Sequence, residues 1–117
     1  MNETQTSADQ YVVDLVESNI GTAVFYSLLP VVIEFCTPGS GSSHIMSPCF
    51  VDLSQKYADN ARFFRINIET YPEAAGRFEV TSVPCFVFVS EGEVMTRLYG
   101  VTPRCDIENK LVEILKE

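Results

Sequence analysis

Residues 31–50 read VVIEFCTPGSGSSHIMSPCF, and this pattern is the most informative one for the architecture. It opens with a nearly continuous β-branched run at residues 31–35, which is typical of a central strand buried on both faces. Residues 36–43 combine glycine, proline and serine, and this composition predicts a loop. Apolar residues then recur at helical spacing and predict a helix over residues 43–59, with the inner positions Cys49, Phe50, Leu53 and Tyr57. The segment is therefore a strand that passes through a tight loop into a helix.

The chain before this segment predicts one short strand and one helix. Residues 11–15 are β-prone. Ser18 is a suitable helix cap, and apolar residues follow it at helical spacing, namely Ile20, Val24 and Leu28. Pro30 ends that helix, because proline lacks the amide hydrogen that a helix interior needs.

The chain after the segment alternates strands and helices before it closes on a hairpin. Residues 63–68 predict a second buried strand, and residues 71–78 predict a short helix. Residues 86–89 and 94–99 predict the two strands of a hairpin with a turn between them. A final helix starts near Thr102, with the inner positions Ile107, Leu111, Ile114 and Leu115.

The predicted order of elements is β-α-β-α-β-α-β-β-α. Alternating strands and helices imply parallel strands joined by crossover helices, and the hairpin adds an antiparallel pair. The expected fold class is therefore α/β, with a central mixed five-stranded sheet flanked by four helices. The 117 residues suit one domain. We expect it to span residues 11–117, behind a polar, frayed tail at residues 1–10.

The composition argues against several classes of partner. Eight basic residues against sixteen acidic ones give a net charge of -8, whereas nucleic-acid phosphates and anionic membranes attract clustered Lys and Arg. Residues 1–10 lack the pattern of a secretory signal. The longest apolar stretch, residues 23–35, is interrupted by Ser27, Pro30 and Glu34 and is too short to span a bilayer. We therefore expect a cytoplasmic protein with no nucleic-acid or membrane partner.

The four cysteines form no C-x-x-C pair, and the chain has a single histidine, His44. This set does not have the ligand spacing of a zinc site. We expect no metal and no cofactor, and we expect four reduced thiols at Cys36, Cys49, Cys85 and Cys105.

Several features, in this order and at this spacing, resemble the thioredoxin family across residues 11–117. Val32-Ile33-Glu34-Phe35 resembles the strand before the active site of that family, and Pro48 matches the proline that kinks its active-site helix. Ser82-Val83-Pro84 resembles the turn whose proline is cis in the family. Further matches are Pro38, Gly41, Phe64-Arg65-Ile66-Asn67-Ile68-Glu69, Gly92-Glu93-Val94 and Gly100. The resemblance implies a thioredoxin fold and a relation to thiol-disulfide oxidoreductases, which reduce protein disulfides.

The sequence departs from the family at the redox pair. The same alignment puts Ser40 and Ser43 at the positions of the two redox cysteines, so the family's Cys-Gly-Pro-Cys reads Ser40-Gly41-Ser42-Ser43 here. In the family, one thiolate attacks a substrate disulfide and the second cysteine resolves the mixed disulfide. A serine hydroxyl does not ionise near neutral pH and forms no disulfide. We therefore expect no dithiol–disulfide turnover from this chain as written.

The resemblance also implies which residues form the site. The catalytic positions are Ser40, Ser43, Glu34 and Arg65, the last two at the places of the family's buried acid and buried lysine. The implied partner-binding surface consists of Gly39, Gly41, Ser42, Val83, Pro84 and Gly100. The implied partners are protein disulfide substrates or partner proteins, with a thioredoxin reductase added for a redox-competent form.

Two histories account for the serines. Ser40 and Ser43 are natural residues of a redox-inactive relative, or they are engineered Cys-to-Ser replacements, and the sequence leaves both open. It also leaves open a second function, that of a naturally non-catalytic module that binds a peptide or partner protein around Pro84, Gly39 and Ser40.

Two pairs of residues have alternative interpretations. Glu34 and Arg65 are expected on adjacent strands, either as a buried ion pair or as a remnant of the family's proton path. Cys36 and Cys85 are expected near the site, either as two buried thiols or as an alternative redox or metal-binding pair. Cys105 is expected to be exposed at the start of the last helix.

Overall fold

The computed structural model of the chain describes residues 11–37 and 41–116, with side chains from Pro48 onward in the helix that begins at Gly41. Five strands form one sheet in the order β1-β3-β2-β4-β5. They are β1 (Val12–Asp14), β2 (Val31–Cys36), β3 (Arg62–Asn67), β4 (Cys85–Ser90) and β5 (Glu93–Tyr99). β1 and β2 run parallel to β3, whereas β4 runs antiparallel to both β2 and β5. The mixed five-stranded sheet predicted from the sequence is confirmed.

Three α-helices flank the sheet in the described part of the chain. They are α1 (Gly41–Lys56), α2 (Pro72–Arg77) and α3 (Arg104–Leu115). α1 begins two residues before the predicted start at residue 43 and ends three residues before the predicted end at residue 59. Pro48 lies inside α1. Pro72 starts α2, at a position where a missing amide hydrogen costs no helical hydrogen bond.

The two faces of the sheet carry separate hydrophobic clusters. Side chains alternate along a strand, so Ile33 and Phe35 of β2 enter one cluster and Val32 enters the other. The first cluster, which we call the α2 face, contains Ala74 and Phe78. The second, which we call the α1/α3 face, contains buried residues of both long helices, namely Phe50, Leu53, Ile107, Leu111 and Ile114. The central strand β2 is buried on both faces, as its β-branched run predicts.

The prediction of an α-helix that starts at Ser18 is wrong. A 3-10 turn at Glu17–Asn19 leads into a π-helical turn at Gly21–Phe25, so these two short turns take the place of the fourth helix. Ser18 lies inside the 3-10 turn and does not cap it. The N-cap is Val16, whose amide donates to the Asn19 side-chain oxygen at 3.2 Å.

The early end of this helical segment changes the position of Leu28. Ile20 and Val24 are buried as predicted, but Leu28 is 100% exposed. The Ser27 hydroxyl donates to the Leu29 carbonyl at 2.7 Å and accepts from the Leu29 amide at 3.2 Å. This local turn competes with helix formation. Leu28 therefore follows the last helical turn instead of continuing its inner face.

The β4–β5 hairpin turns at two residues with positive φ, Glu91 at 53° and Gly92 at 80°. This is the geometry of a type I′ turn, whose twist matches that of the flanking strands. None of the helices in the described ranges is long and apolar enough to cross a bilayer.

Candidate functional site

The candidate site lies where β2 ends. β2 stops at Cys36 and α1 starts at Gly41, so the connecting loop leaves the sheet at this edge. In the antiparallel pairing of β2 with β4, Phe35 lies opposite Cys85. The residues before β4, Val83 and Pro84, therefore lie beside the end of β2.

The turn before β4 is held by a hydrogen bond from the residue that follows β5. The peptide bond between Val83 and Pro84 is cis. Pro84 is buried and Val83 is half-buried. The Gly100 amide donates to the Pro84 carbonyl at 2.8 Å. Gly100 does so with φ at 81°, a conformation that glycine adopts without steric cost. The structure thus brings together Val83, Pro84 and Gly100, three of the residues predicted for the partner-binding surface.

The remaining predicted residues of that surface and the two serines lie at the entry to α1. Gly39 and Ser40 fall outside the described residues. Gly41, Ser42 and Ser43 belong to the first turn of α1 by their backbone. The prediction that the Ser40 and Ser43 hydroxyls occupy the positions of two sulfurs therefore stays a prediction.

Glu34 and Arg65 form an ion pair in the centre of the sheet. They are direct partners in the parallel register of β2 and β3. Arg65 Nε donates to Glu34 Oε1 at 2.9 Å. The Glu34 side chain is 1% exposed and that of Arg65 is 21% exposed. Their expected placement on adjacent strands is confirmed.

The Glu34 carboxyl is only half satisfied. Its Oε2 atom is buried and has no hydrogen-bond partner in the described part of the chain. Burial raises the pKa of Glu34 above its ordinary value of 4.5, although the hydrogen bond and the charge of Arg65 act in the opposite direction. The protonated form of Glu34 is therefore easier to reach in the folded protein than in the unfolded chain.

Asp14 is a residue of this cluster that sequence reasoning missed. It pairs with Arg65 in the register of β1 and β3, so Arg65 has a carboxylate in register on each side. The charge of Asp14 contributes to raising the pKa of Arg65. The available signal was the place of Asp14 in the β-prone run at residues 11–15. In a strand paired with that of Arg65, the Asp14 side chain can lie on the same side of the sheet as Arg65.

The Cys36 thiol lies on the same face of β2 as Glu34. It donates to the Ile66 carbonyl at 3.6 Å. Burial, followed by the negative charge of Glu34, raises the pKa of Cys36 to about 11. A thiol with this pKa is almost entirely protonated at neutral pH and is a poor nucleophile.

The interpretation of Cys36 and Cys85 as an alternative redox or metal-binding pair is wrong. Cys85 lies opposite Phe35 and belongs to the α2 face, whereas Cys36 follows Phe35 and points to the α1/α3 face. The sheet itself separates the two sulfurs. Burial also raises the pKa of Cys85 to about 11. Among the side chains that the structure describes, no group of three or more His, Cys, Asp or Glu is placed to hold a metal ion.

The other two cysteines lie on helices. Cys105 is exposed near the start of α3, as predicted. Cys49 of α1 is partly buried against the α1/α3 face, and burial is the main cause that raises its pKa.

Comparison with known proteins agrees with this geometry. The family model described as Thioredoxin matches residues 11–113. The chain belongs to the thioredoxin family.

Similar family members come from plants and a cyanobacterium. The chain is 30% identical to the chloroplastic thioredoxin M4 of Arabidopsis thaliana over 112 residues, 96% of this chain and 58% of that protein. It is 31% identical to thioredoxin H4 of Arabidopsis thaliana over 83 residues, 71% of this chain and 69% of that protein. It is 24% identical to thioredoxin 1 of Synechococcus elongatus over 88 residues, 75% of this chain and 82% of that protein. The chain thus spans somewhat more than half the length of thioredoxin M4.

A solved structure confirms the thioredoxin fold. It comes from a study of the thiol resolving mechanism in yeast mitochondrial 1-Cys peroxiredoxin via glutathione/thioredoxin systems. One of its chains has a TM-score of 0.81 and 24% identity, with coverage of 92% of this chain and 99% of that chain.

Replacing Glu34 tests the buried pair. We expect Glu34→Ala to lower the free energy of unfolding by about 3 kcal/mol or more, because it removes the carboxylate that is hydrogen-bonded to the buried part of Arg65. Glu34→Gln should cost much less, since its amide oxygen can still accept from Arg65. Urea unfolding of both variants measures the difference. A loss below about 1 kcal/mol for Glu34→Ala would contradict the burial and register described here.

The pH dependence gives a second readout of the same carboxyl. Because the pKa of Glu34 is raised in the folded state, its contribution to stability is complete below its unfolded pKa and is lost as the pH rises through the folded-state pKa. Glu34→Gln lacks this loss. We therefore expect the stability of Glu34→Gln relative to the wild type to increase with pH across that window.

Alkylation rates should separate the four thiols. At about pH 8, a pKa near 11 leaves roughly one thiol in a thousand ionised at Cys36 and Cys85. We expect iodoacetamide to modify the exposed Cys105 first and these two last, as followed by peptide mass spectrometry. Equal rates at Cys36 and Cys105 would show that Cys36 is accessible and ionised.

Proposed function

We propose that this chain is a thioredoxin-family protein that binds extended polypeptide segments beside the Val83–Pro84 turn and does not cycle a disulfide. The observation that carries the proposal is the combination of a Val83–Pro84 turn held by the Gly100 amide with serine at positions 40 and 43. The turn supports binding, and the serines argue against redox turnover.

The backbone of Val83 supports the binding role. Among the described residues, no hydrogen bond uses the Val83 amide or carbonyl, while its neighbour Pro84 is fixed by Gly100. Backbone groups that have no partner among the described residues, at a half-buried position, suit pairing with an extended segment, because main-chain hydrogen bonds supply affinity without requiring a particular sequence. The partner class is therefore an unfolded or extended stretch of protein.

The remaining sulfur atoms do not replace the family's redox pair. Cys36 and Cys85 lie on opposite faces of the sheet, and burial raises the pKa of each to about 11. Disulfide exchange needs a thiolate that can reach its target and a second thiol that resolves the product. Cys36 and Cys85 are almost entirely protonated at neutral pH, and neither lies on the face where it could resolve a disulfide formed by the other.

A second candidate function is thiol-disulfide oxidoreductase activity in a form with cysteines at positions 40 and 43. The buried Glu34, with its raised pKa and its unpartnered oxygen, favours this candidate. Such an environment suits a proton acceptor or donor close to a site of thiol chemistry. The two candidate functions share one scaffold and differ in whether positions 40 and 43 carry serine or cysteine.

Insulin reduction by dithiothreitol separates the two candidates. We expect the chain as written to leave the rate of insulin precipitation at that of dithiothreitol alone. The double variant Ser40→Cys/Ser43→Cys should accelerate it if the scaffold still supports disulfide exchange, with Ser40→Cys alone as the control that lacks a resolving thiol. Acceleration by the unmodified chain would overturn the proposal.

Binding is tested with a peptide that cannot react. Reduced and carboxymethylated insulin B chain offers an extended segment without thiols. In ¹⁵N–¹H spectra we expect its addition to shift the amides of Val83, Cys85 and Gly100 most strongly. Val83→Glu should weaken binding by about tenfold, the equivalent of about 1.4 kcal/mol.

Val13→Glu is the matched control, since Val13 is 50% exposed on the edge strand β1. It should bind the peptide as the wild type does. Shifts spread evenly over the surface, or equal losses in both variants, would contradict binding at the Val83–Pro84 turn.

A further inference from the structure

An exposed apolar patch lies at the other end of the sheet from the candidate site. It consists of Tyr26, Leu28 and Leu29, which precede β2, and we call it the Leu28 patch. Tyr26 is 80% exposed and Leu28 is 100% exposed. β2 separates the patch from the site by six residues, or about 20 Å at about 3.3 Å per residue. Peptide binding at Val83–Pro84 therefore does not account for it.

Two grooves flank the Leu28 patch in the described part of the chain. One has a volume of about 400 Å³ and is lined by residues that include Val13, Ala23, Arg62 and Phe64. The other has a volume of about 280 Å³ and is lined by residues that include Pro30, Asp59, Glu91 and Leu115. Leu28 and Leu29 line both. A fully exposed leucine between two partly apolar hollows is the kind of surface that marks a protein–protein contact.

The two grooves carry opposite charges. Arg62 lines the first groove, whereas Asp59 and Glu91 line the second. None of the salt bridges found between described residues involves these three side chains. The patch is therefore cationic on one side of Leu28 and anionic on the other.

We propose that the Leu28 patch binds a second copy of this chain in a two-fold symmetric dimer. A two-fold axis through Leu28 brings the first groove of one protomer against the second groove of its partner, because residues on one side of the axis face residues from the opposite side. The two Leu28 side chains then pack against each other at the axis, between the paired grooves. Arg62 of each protomer meets the acidic groove that contains Asp59 and Glu91 in the other.

The segment at residues 1–10 is a poor alternative occupant. Its sequence, MNETQTSADQ, is almost entirely polar and contains Glu3 and Asp9. It offers little apolar surface for the hollows beside Leu28 and no cationic side chain for Asp59 and Glu91. A second copy of the chain supplies Leu28 as the apolar side chain and Arg62 as the positive charge.

Sedimentation equilibrium of the full chain over a concentration series tests the proposal. We expect the average mass to rise from 13.1 kDa towards twice that value. Leu28→Glu should raise the dissociation constant at least about tenfold without loss of folding, since Leu28 is fully exposed. Val101→Glu, at an exposed residue beyond β5, is the matched control and should dimerise as the wild type does.

Charge reversal tests the orientation of the two copies. Arg62→Glu and Asp59→Lys should each weaken the dimer, and the double variant should recover part of the lost affinity because the two charges meet across the interface. A wild-type mass that stays at 13.1 kDa at every concentration would overturn the proposal and leave the patch to another molecule or to none. Equal dimerisation by Leu28→Glu, or loss of the dimer in Val101→Glu, would place the interface elsewhere.

Discussion

Side-chain alternation along β2 is the constraint on which the rest of the structure depends. This strand is buried on both faces, so each of its residues must suit one of two separate cores. Ile33 and Phe35 fill the α2 face, and Val32 fills the α1/α3 face. The same alternation puts Glu34 on the α1/α3 side and opposite Arg65 in the register with β3. A slip of one residue would reverse every one of these assignments, so the ion pair and the two cores support a single register.

That register also determines which chemistry the site supports. Cys36 and Cys85 are close in the strand pairing yet face opposite sides of the sheet, so the chain's own buried thiols cannot cooperate across β2. At the end of β2, the turn at Val83–Pro84 is positioned by the pairing of Phe35 with Cys85 and by the Gly100 hydrogen bond. The position of this turn therefore does not depend on a sulfur atom. Burial on the neighbouring strand raises the pKa of Glu34.

Most of the fold could be predicted from the sequence because its signals were strong and local. The apolar runs at residues 31–35 and 63–68 have few alternatives to buried strands, and Pro72 marks the start of α2 directly. The segment before Pro30 could not be predicted correctly, since Ile20, Val24 and Leu28 fit an α-helix, whereas a π-helical turn and the Ser27 hydroxyl end it early. At the site, the placement of Glu34 beside Arg65 could be predicted because the two residues were expected on neighbouring strands. The separation of Cys36 from Cys85 and the approach of Asp14 depended on register, which spacing alone does not specify.

We propose that this member of the thioredoxin family holds no dithiol–disulfide couple of its own. The most direct test equilibrates the chain in glutathione buffers from fully reduced to fully oxidised, quenches with acid, alkylates the remaining thiols and counts them by mass spectrometry. We predict that no pair of thiols disappears together at any glutathione ratio. Joint loss of two thiols with a defined midpoint, and with a mass that shows an internal disulfide, would contradict the account.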